Sequence, residues 1–245
     1  MTKKHPMANP PLLDLGLAPR TQLDLEFVYV GDPMCSWCWG FSPALEKLES
    51  RYRIPLRVVM GGLRTGSQAE PMDAEARDQL TDYWQGVAQR TGQPFTNASL
   101  ERDGWRYDTE PSCRAVVAMR ELARHETLRW VARLHRAFYV EGVDITDMSV
   151  IPGLLHGFDV DPDHFAQLLA DDATIERTQQ DFAEAQGYGI AGFPTVLFRD
   201  SEELAIVTRG FVPWDQLEPA LTDWLEKRYG DLTTDLFCDP ETGIC

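Results

Sequence analysis

The chain alternates between two hydrophobic periods. Leu25-Glu26-Phe27-Val28-Tyr29-Val30 is a short, nearly continuous apolar run, which predicts a buried strand. From Cys38 the apolar positions fall at Cys38, Phe41, Leu45, Leu48 and Tyr52, the spacing of one helix face. Pro43 lies inside that run and predicts a kink there. Arg57-Val58-Val59-Met60 reads as a second strand, ended by Gly61-Gly62. Strand, helix, strand at this spacing makes a crossover unit with parallel strands.

Helical spacing then dominates the middle of the chain. One stripe is Ala76, Leu80, Tyr83, Trp84 and Val87, a second Ala115, Ala118, Met119 and Leu122, and a third Leu128, Val131, Leu134 and Phe138. Asp161-Pro162 is a capping residue followed by proline at the first helical position, with Phe165, Leu168 and Leu169 behind it. Ile175, Gln179, Phe182 and Ala185 predict a last helix before Gly187. All these stripes read as core packing. Strand character returns at Thr195–Arg199 and Ala205–Arg209, joined by an Asp200-Ser201 turn and therefore antiparallel. Trp214, Leu217, Leu221, Trp224 and Leu225 close the pattern with an amphipathic helix. The order is β-α-β, helical block, β-β-α. It divides the chain into a first α/β half (22–68), a helical insertion (69–186), a second α/β half (187–230) and a tail (231–245).

Bulk properties narrow the partners. With 23 Lys and Arg against 39 Asp and Glu, the formal net charge is -16, which argues against nucleic acid or an anionic membrane as a main partner. The residues Met1 to Pro10 carry two lysines but no apolar stretch follows, so no signal peptide or membrane span is expected and the cytosol is the expected compartment. Disulfides there are mostly transient and catalytic, and five cysteines are too few for a disulfide scaffold.

Cys35-Ser36-Trp37-Cys38 follows the first strand and opens the first helix. A Cys-x-x-Cys pair at such a junction is the signature of a dithiol that cycles to a disulfide. Backbone N–H groups and the helix dipole stabilise a Cys35 thiolate at the helix start, and Cys38, one turn on and more covered, resolves a mixed disulfide. The Ser36-Trp37 dipeptide carries no charge, which predicts a moderate rather than extreme oxidising potential. A zinc site would need four ligands, and Cys113, Cys238 and Cys245 form no second Cys-x-x-Cys, so no metal and no other cofactor are expected.

Around the dithiol, Asp32 is either a proton acceptor for Cys38 or a turn former with Pro33. Trp37 and Trp39 could frame an apolar face that binds substrate, Trp39 equally well as a core residue. Gly192-Phe193-Pro194-Thr195 places proline directly before a strand, a tight turn whose Phe193–Pro194 bond is trans by default or cis. Phe193 is the second candidate substrate contact. Cys113 reads as a buried thiol. Cys238 and Cys245 are either an accessory shuttle dithiol or incidental thiols. The five histidines are scattered, and none of them, His125 and His135 included, is assigned a metal.

Cys-x-x-Cys after the first strand, proline five residues beyond Cys38, and Gly-Phe-Pro-Thr before a late strand resemble the thioredoxin fold. The helical block between the two halves resembles the DsbA family. The run Asp32-Pro33-Met34-Cys35-Ser36-Trp37-Cys38-Trp39-Gly40 is similar to its predicted cytoplasmic disulfide-isomerase branch, near the FrnE-like proteins and the 2-hydroxychromene-2-carboxylate isomerases. The resemblance spans about residues 24–228 and implies an α/β thioredoxin fold with a large all-helical, DsbA-like insertion. It implies Cys35 as nucleophile, Cys38 as resolving thiol, Pro194 as a cis proline beside them, and a substrate groove between the subdomains. The implied activity is thiol–disulfide exchange or isomerisation on protein or small-molecule disulfides and thiols, glutathione among them. Two other readings stand beside it. One is a glutathione-dependent isomerase or transferase, against which Cys35 argues because those isomerases carry serine there. The other is a non-catalytic peptide-binding module.

Overall fold

The computed structural model describes residues 25–102 and 104–233. Four strands, β1 (Glu26–Gly31), β2 (Leu56–Met60), β3 (Thr195–Arg199) and β4 (Leu204–Arg209), form one sheet in the order β2-β1-β3-β4. β1 runs parallel to β2 and antiparallel to β3, and β3 pairs antiparallel with β4. The parallel pair follows from the long connection through α1 (Ser36–Arg51), the antiparallel pair β3–β4 from the short turn at Asp200.

β1 is buried on both faces, and its period-two alternation sorts its side chains between two cores. Phe27 and Tyr29 join the main core with Leu45 and Leu48 of α1 and Leu221 and Leu225 of α7 (Trp214–Tyr229). Phe27 meets Tyr52 and Phe198 edge-on at 5.9 and 5.6 Å. Val28 and Val30 face the other way, into a smaller core with Val59, Leu197 and Ala185 of α6 (Asp172–Gly187).

Between the halves of the sheet stand α2 (Ala74–Thr91), α3 (Glu110–Leu122), α4 (Thr127–Tyr139) and α5 (Pro162–Ala170). Asp161 caps α5 by accepting from His164 N at 2.7 Å, with Pro162 at the first position, as the sequence suggests. The helices enclose an aromatic core in which Trp84 meets Phe138 and Tyr139 edge-on at 5.7 and 5.0 Å.

Pro43, where a kink is expected, lies inside α1, which runs from Ser36 to Arg51 as one element across it. Proline removes the N–H that Trp39 O would accept one turn back. Gln93, from the loop after α2, supplies the donor instead, with Nε2 3.2 Å from Trp39 O. The indole of Trp39 returns the contact, donating to Pro94 O at 3.0 Å.

Arg120 joins the helical block to the sheet. Its guanidinium donates to Asp181 Oδ2 and Oδ1 of α6 at 2.8 and 2.9 Å and to Val58 O of β2 at 2.8 Å. Asp181 Oδ2 also accepts from Met60 N at 2.9 Å. Replacing Arg120 with Ala leaves a carboxylate with 7% side-chain exposure without its counter-charge. We expect a loss of about 3 kcal/mol in unfolding free energy, read from urea denaturation of the Arg120→Ala chain.

Candidate active site

The site forms where β1 hands over to α1. The turn between them is held by Asp32, whose carboxylate is fully buried. Asp32 Oδ1 accepts from Met34 N at 2.8 Å, and Asp32 O accepts from Cys35 N at 3.0 Å. Oδ2 accepts from Leu63 N at 2.7 Å, reaching the loop after β2, and from Cys113 Sγ of α3 at 3.3 Å. Burial raises the Asp32 pKa above its ordinary value, and the Leu63 and Met34 N–H groups oppose the rise. Of the two roles open to Asp32, the turn is built here. Its carboxylate faces Cys113, and what Cys38 meets is the Asp32 backbone.

Cys35 is the N-cap of α1, and its sulfur accepts from Cys38 N at 3.4 Å. That places it at the end where unpaired backbone N–H groups favour an anion. Its exposure is only 5%, so the expected contrast between an open attacker and a covered resolver is narrower than the motif suggests; Cys38 has none. The crowding comes from the Phe193 loop, whose carbonyl oxygen lies 3.7 Å from Cys35 Sγ. Burial raises the Cys38 pKa well above the usual thiol value, with the Cys35 sulfur adding to the rise.

The Phe193–Pro194 bond is cis. Gly61 is required opposite it: a Cβ there would lie 2.1 Å from the Phe193 ring. The loop after β2 and the loop before β3 thus close on each other beside the dithiol.

A cleft of about 510 Å³ opens over Cys35, walled by Trp37, Phe193, Arg64 and the α2 residues Leu80 and Tyr83. Trp37 crosses it, donating from Nε1 to Tyr83 Oη at 2.6 Å and packing 5.9 Å from the Phe211 ring. Trp39 points inward and is 8% exposed, a core residue. Of the residues singled out in the sequence, Trp37 and Phe193 line this cleft and Pro194 follows Phe193 in the chain, whereas Tyr83 was counted as core. Tyr83 is 51% exposed, and Ala76 and Leu80 line the cleft with it. Arg64, stacked 4.9 Å over the Tyr107 ring, was also missed; it lies in a loop with no periodic signal. Cys238 and Cys245 lie outside the described residues.

His135 of α4, which was not among the candidate site residues, is buried beneath the redox turn. One neutral tautomer satisfies both ring nitrogens: Nε2–H donates to Asp32 O at 3.4 Å, and Nδ1 accepts from Ser42 Oγ at 3.0 Å. Among the described residues no group of three or more His, Cys, Asp or Glu could hold a metal ion, and no helix is long and apolar enough to cross a membrane.

The model of the DSBA-like thioredoxin domain matches residues 27–222. The chain belongs to this family. A structure from Nitrosomonas europaea, provisionally described as a protein disulfide isomerase, is 32% identical, with a TM-score of 0.74 over 83% of this chain and 98% of that one. The cytosolic disulfide reductase DsbM from Pseudomonas aeruginosa is 27% identical, with a TM-score of 0.70 over 82% of this chain and 98% of its own; it is also known with GSH. Two curated relatives, both named ClpXP adapter protein SpxH, are 22% identical in Bacillus licheniformis and 23% in Halalkalibacterium halodurans, over 74% and 82% of this chain. The chain spans 59% and 68% of those relatives' own lengths. Fold, family and the Cys35-Ser36-Trp37-Cys38 geometry agree on the dithiol of a thiol–disulfide oxidoreductase.

His135 makes the fold pH-sensitive. Burial lowers its pKa from 6.5 to about 4, so the unfolded chain binds the proton first as pH falls. The stability it contributes is present above pH 6.5 and lost on descent to about pH 4, by about 3 kcal/mol in all. His135→Gln should flatten the unfolding free energy across that window, as read from urea denaturation at a series of pH values.

Proposed function

We propose that the chain is a disulfide reductase or isomerase of the cytoplasmic branch near the FrnE-like proteins, resolving substrate disulfides with electrons from a small thiol such as glutathione. The carrying observation is Cys35 at the N-cap of α1, at the floor of an open cleft and facing Phe193 O, with Cys38 sealed one turn behind. Cys35 attacks a substrate disulfide, Cys38 displaces the substrate thiol from Cys35, and an external thiol restores the dithiol. The uncharged Ser36-Trp37 pair supports the reducing direction, as does the similarity to the Pseudomonas cytosolic reductase. The cleft volume, about 510 Å³, suits a short peptide or a tripeptide thiol. Trp37, Phe193 and Tyr83 would hold its apolar parts, and Arg64 a carboxylate.

The curated relatives' adapter name favours a second reading, in which the same cleft binds a protein partner without chemistry. Partner binding that survives replacement of both Cys35 and Cys38 by Ser supports that reading.

Cys35→Ser should abolish glutathione-driven insulin-disulfide reduction, and Cys38→Ser should accumulate a mixed disulfide on Cys35, seen by mass spectrometry. Equilibration of the couple in glutathione buffers should give a potential closer to roughly -270 mV than to roughly -120 mV. Full insulin reduction by the Cys35→Ser chain would refute the assignment.

A further inference from the structure

A second cavity, of about 300 Å³, borders the cleft over Cys35. Gly192 and Phe193 line both, and no other residue does, so the loop before β3 is the partition between them. Thr195 and Leu197 of β3 and Ile206 of β4 line the second cavity. Leu197 belongs to the smaller core under α6, and α6 packs on β2, at the opposite end of the sheet from β4. Ile206 is left 40% exposed. Tyr188 and Ile190, just beyond α6, add further apolar wall, and the exposed residues Gly189, Ala191 and Gly192 form a rim without bulk.

One charged residue lines this cavity: Arg209, the last of β4. Its backbone is fixed beside the loop, because Arg209 pairs with Thr195 directly after Pro194 and Gly210 N donates to Pro194 O at 2.7 Å. Among the described residues no carboxylate pairs with its guanidinium. Acidic residues outnumber basic ones by 39 to 23, and other arginines near the sheet are paired, Arg199 with Glu26 and Arg57 with Glu184. An apolar cavity with one cation and no anion is complementary to an apolar stem that ends in a carboxylate.

We propose that this cavity is a substrate subsite that takes the flank of a polypeptide disulfide carrying an acidic side chain about three residues from the reactive cysteine. Arg209 meets the carboxylate, and Leu197 and Ile206 meet its stem. The inference rests on the thiol–disulfide reading above and adds the substrate class. Cys35 Sγ lies 3.7 Å from Phe193 O, so a chain whose cysteine is held there has only the Phe193 loop to cross. About three extended residues, at roughly 3.3 Å each, span it. The contact with Arg209 is the same before and during sulfur exchange, so it acts on KM rather than on kcat.

The test follows glutathione-driven reduction of two peptides by the full chain. Both peptides are blocked at each end and carry one cysteine in mixed disulfide with mercaptoethanol. They differ only in having Glu or Gln three residues to either side of that cysteine. kcat/KM should favour the Glu peptide about fivefold, through KM, and added salt should shrink the ratio. In Arg209→Gln the ratio should fall to about one; it is taken within one chain, so a loss of folded protein cancels. Equal kcat/KM for the two peptides in the parent chain overturns the proposal, and so does a ratio that survives Arg209→Gln. Loss of the ratio in Arg64→Gln instead would place the carboxylate in the Cys35 cleft and overturn it as well. A parent chain that reduces neither peptide would refute the exchange reading on which the proposal stands.

Discussion

The buried Asp32 carboxylate is the joint on which the site depends. Its oxygens take Met34 N from the redox turn, Leu63 N from the loop after β2 and Cys113 Sγ from α3, while its carbonyl takes Cys35 N and His135. Three segments far apart in sequence are thereby pinned to one residue. A buried carboxylate is tolerated only when its oxygens are satisfied, so the joint forms as a whole or leaves an expensive charge in the core. The position of Cys35 relative to the cleft wall is set by that requirement, because the wall includes Leu63 and Arg64, and Arg64 N lies 3.3 Å from Thr109 Oγ1 at the foot of α3.

The same joint explains the unequal sulfurs. Cys35 meets backbone N–H groups at the start of α1 and opens to the cleft, whereas Cys38 points into a core shared by Tyr29, Met34 and Phe41. A thiol placed there resists ionisation, which protects the reduced enzyme from random oxidation but burdens the resolving step. Polar groups around Cys38 must therefore be arranged for its charged state. The Asp32 backbone and the Tyr29 hydroxyl are the neighbours that lower its cost of ionisation.

The local elements were legible in the sequence because their signals are local. The unbroken apolar run Phe27-Val28-Tyr29-Val30 marks a strand buried on two faces, and Asp161-Pro162 marks a helix start wherever it falls. Long-range partnerships were not legible. His135 meets Asp32 across 103 residues, and Gln93 rescues the Pro43 gap in α1 across 54. The α2 stripe was legible as a face but not as a surface. Periodicity shows that Ala76, Leu80 and Tyr83 share a side of the helix, and it cannot show whether that side meets a neighbour or a cleft. The polar tip of Tyr83 was the available hint, since a buried tyrosine needs a partner for its hydroxyl.

Trp37 shows why the residues between the cysteines do more than set charge. Its indole lines the cleft, bonded to Tyr83 of the helical insertion and packed on Phe211 beyond β4. An occupant of the cleft must share the space with Trp37 or displace it. In either case its binding is felt within the Cys-x-x-Cys turn itself. Tyr83, 46 residues away in sequence, is thereby linked to the sulfur chemistry through one side chain. The insertion thus acts on the dithiol from two sides: from above through Tyr83 and Trp37, and from below through His135 and Cys113 on Asp32. A thioredoxin core without that block would keep the two sulfurs but lose both the cleft wall and the buried support of the turn that presents them.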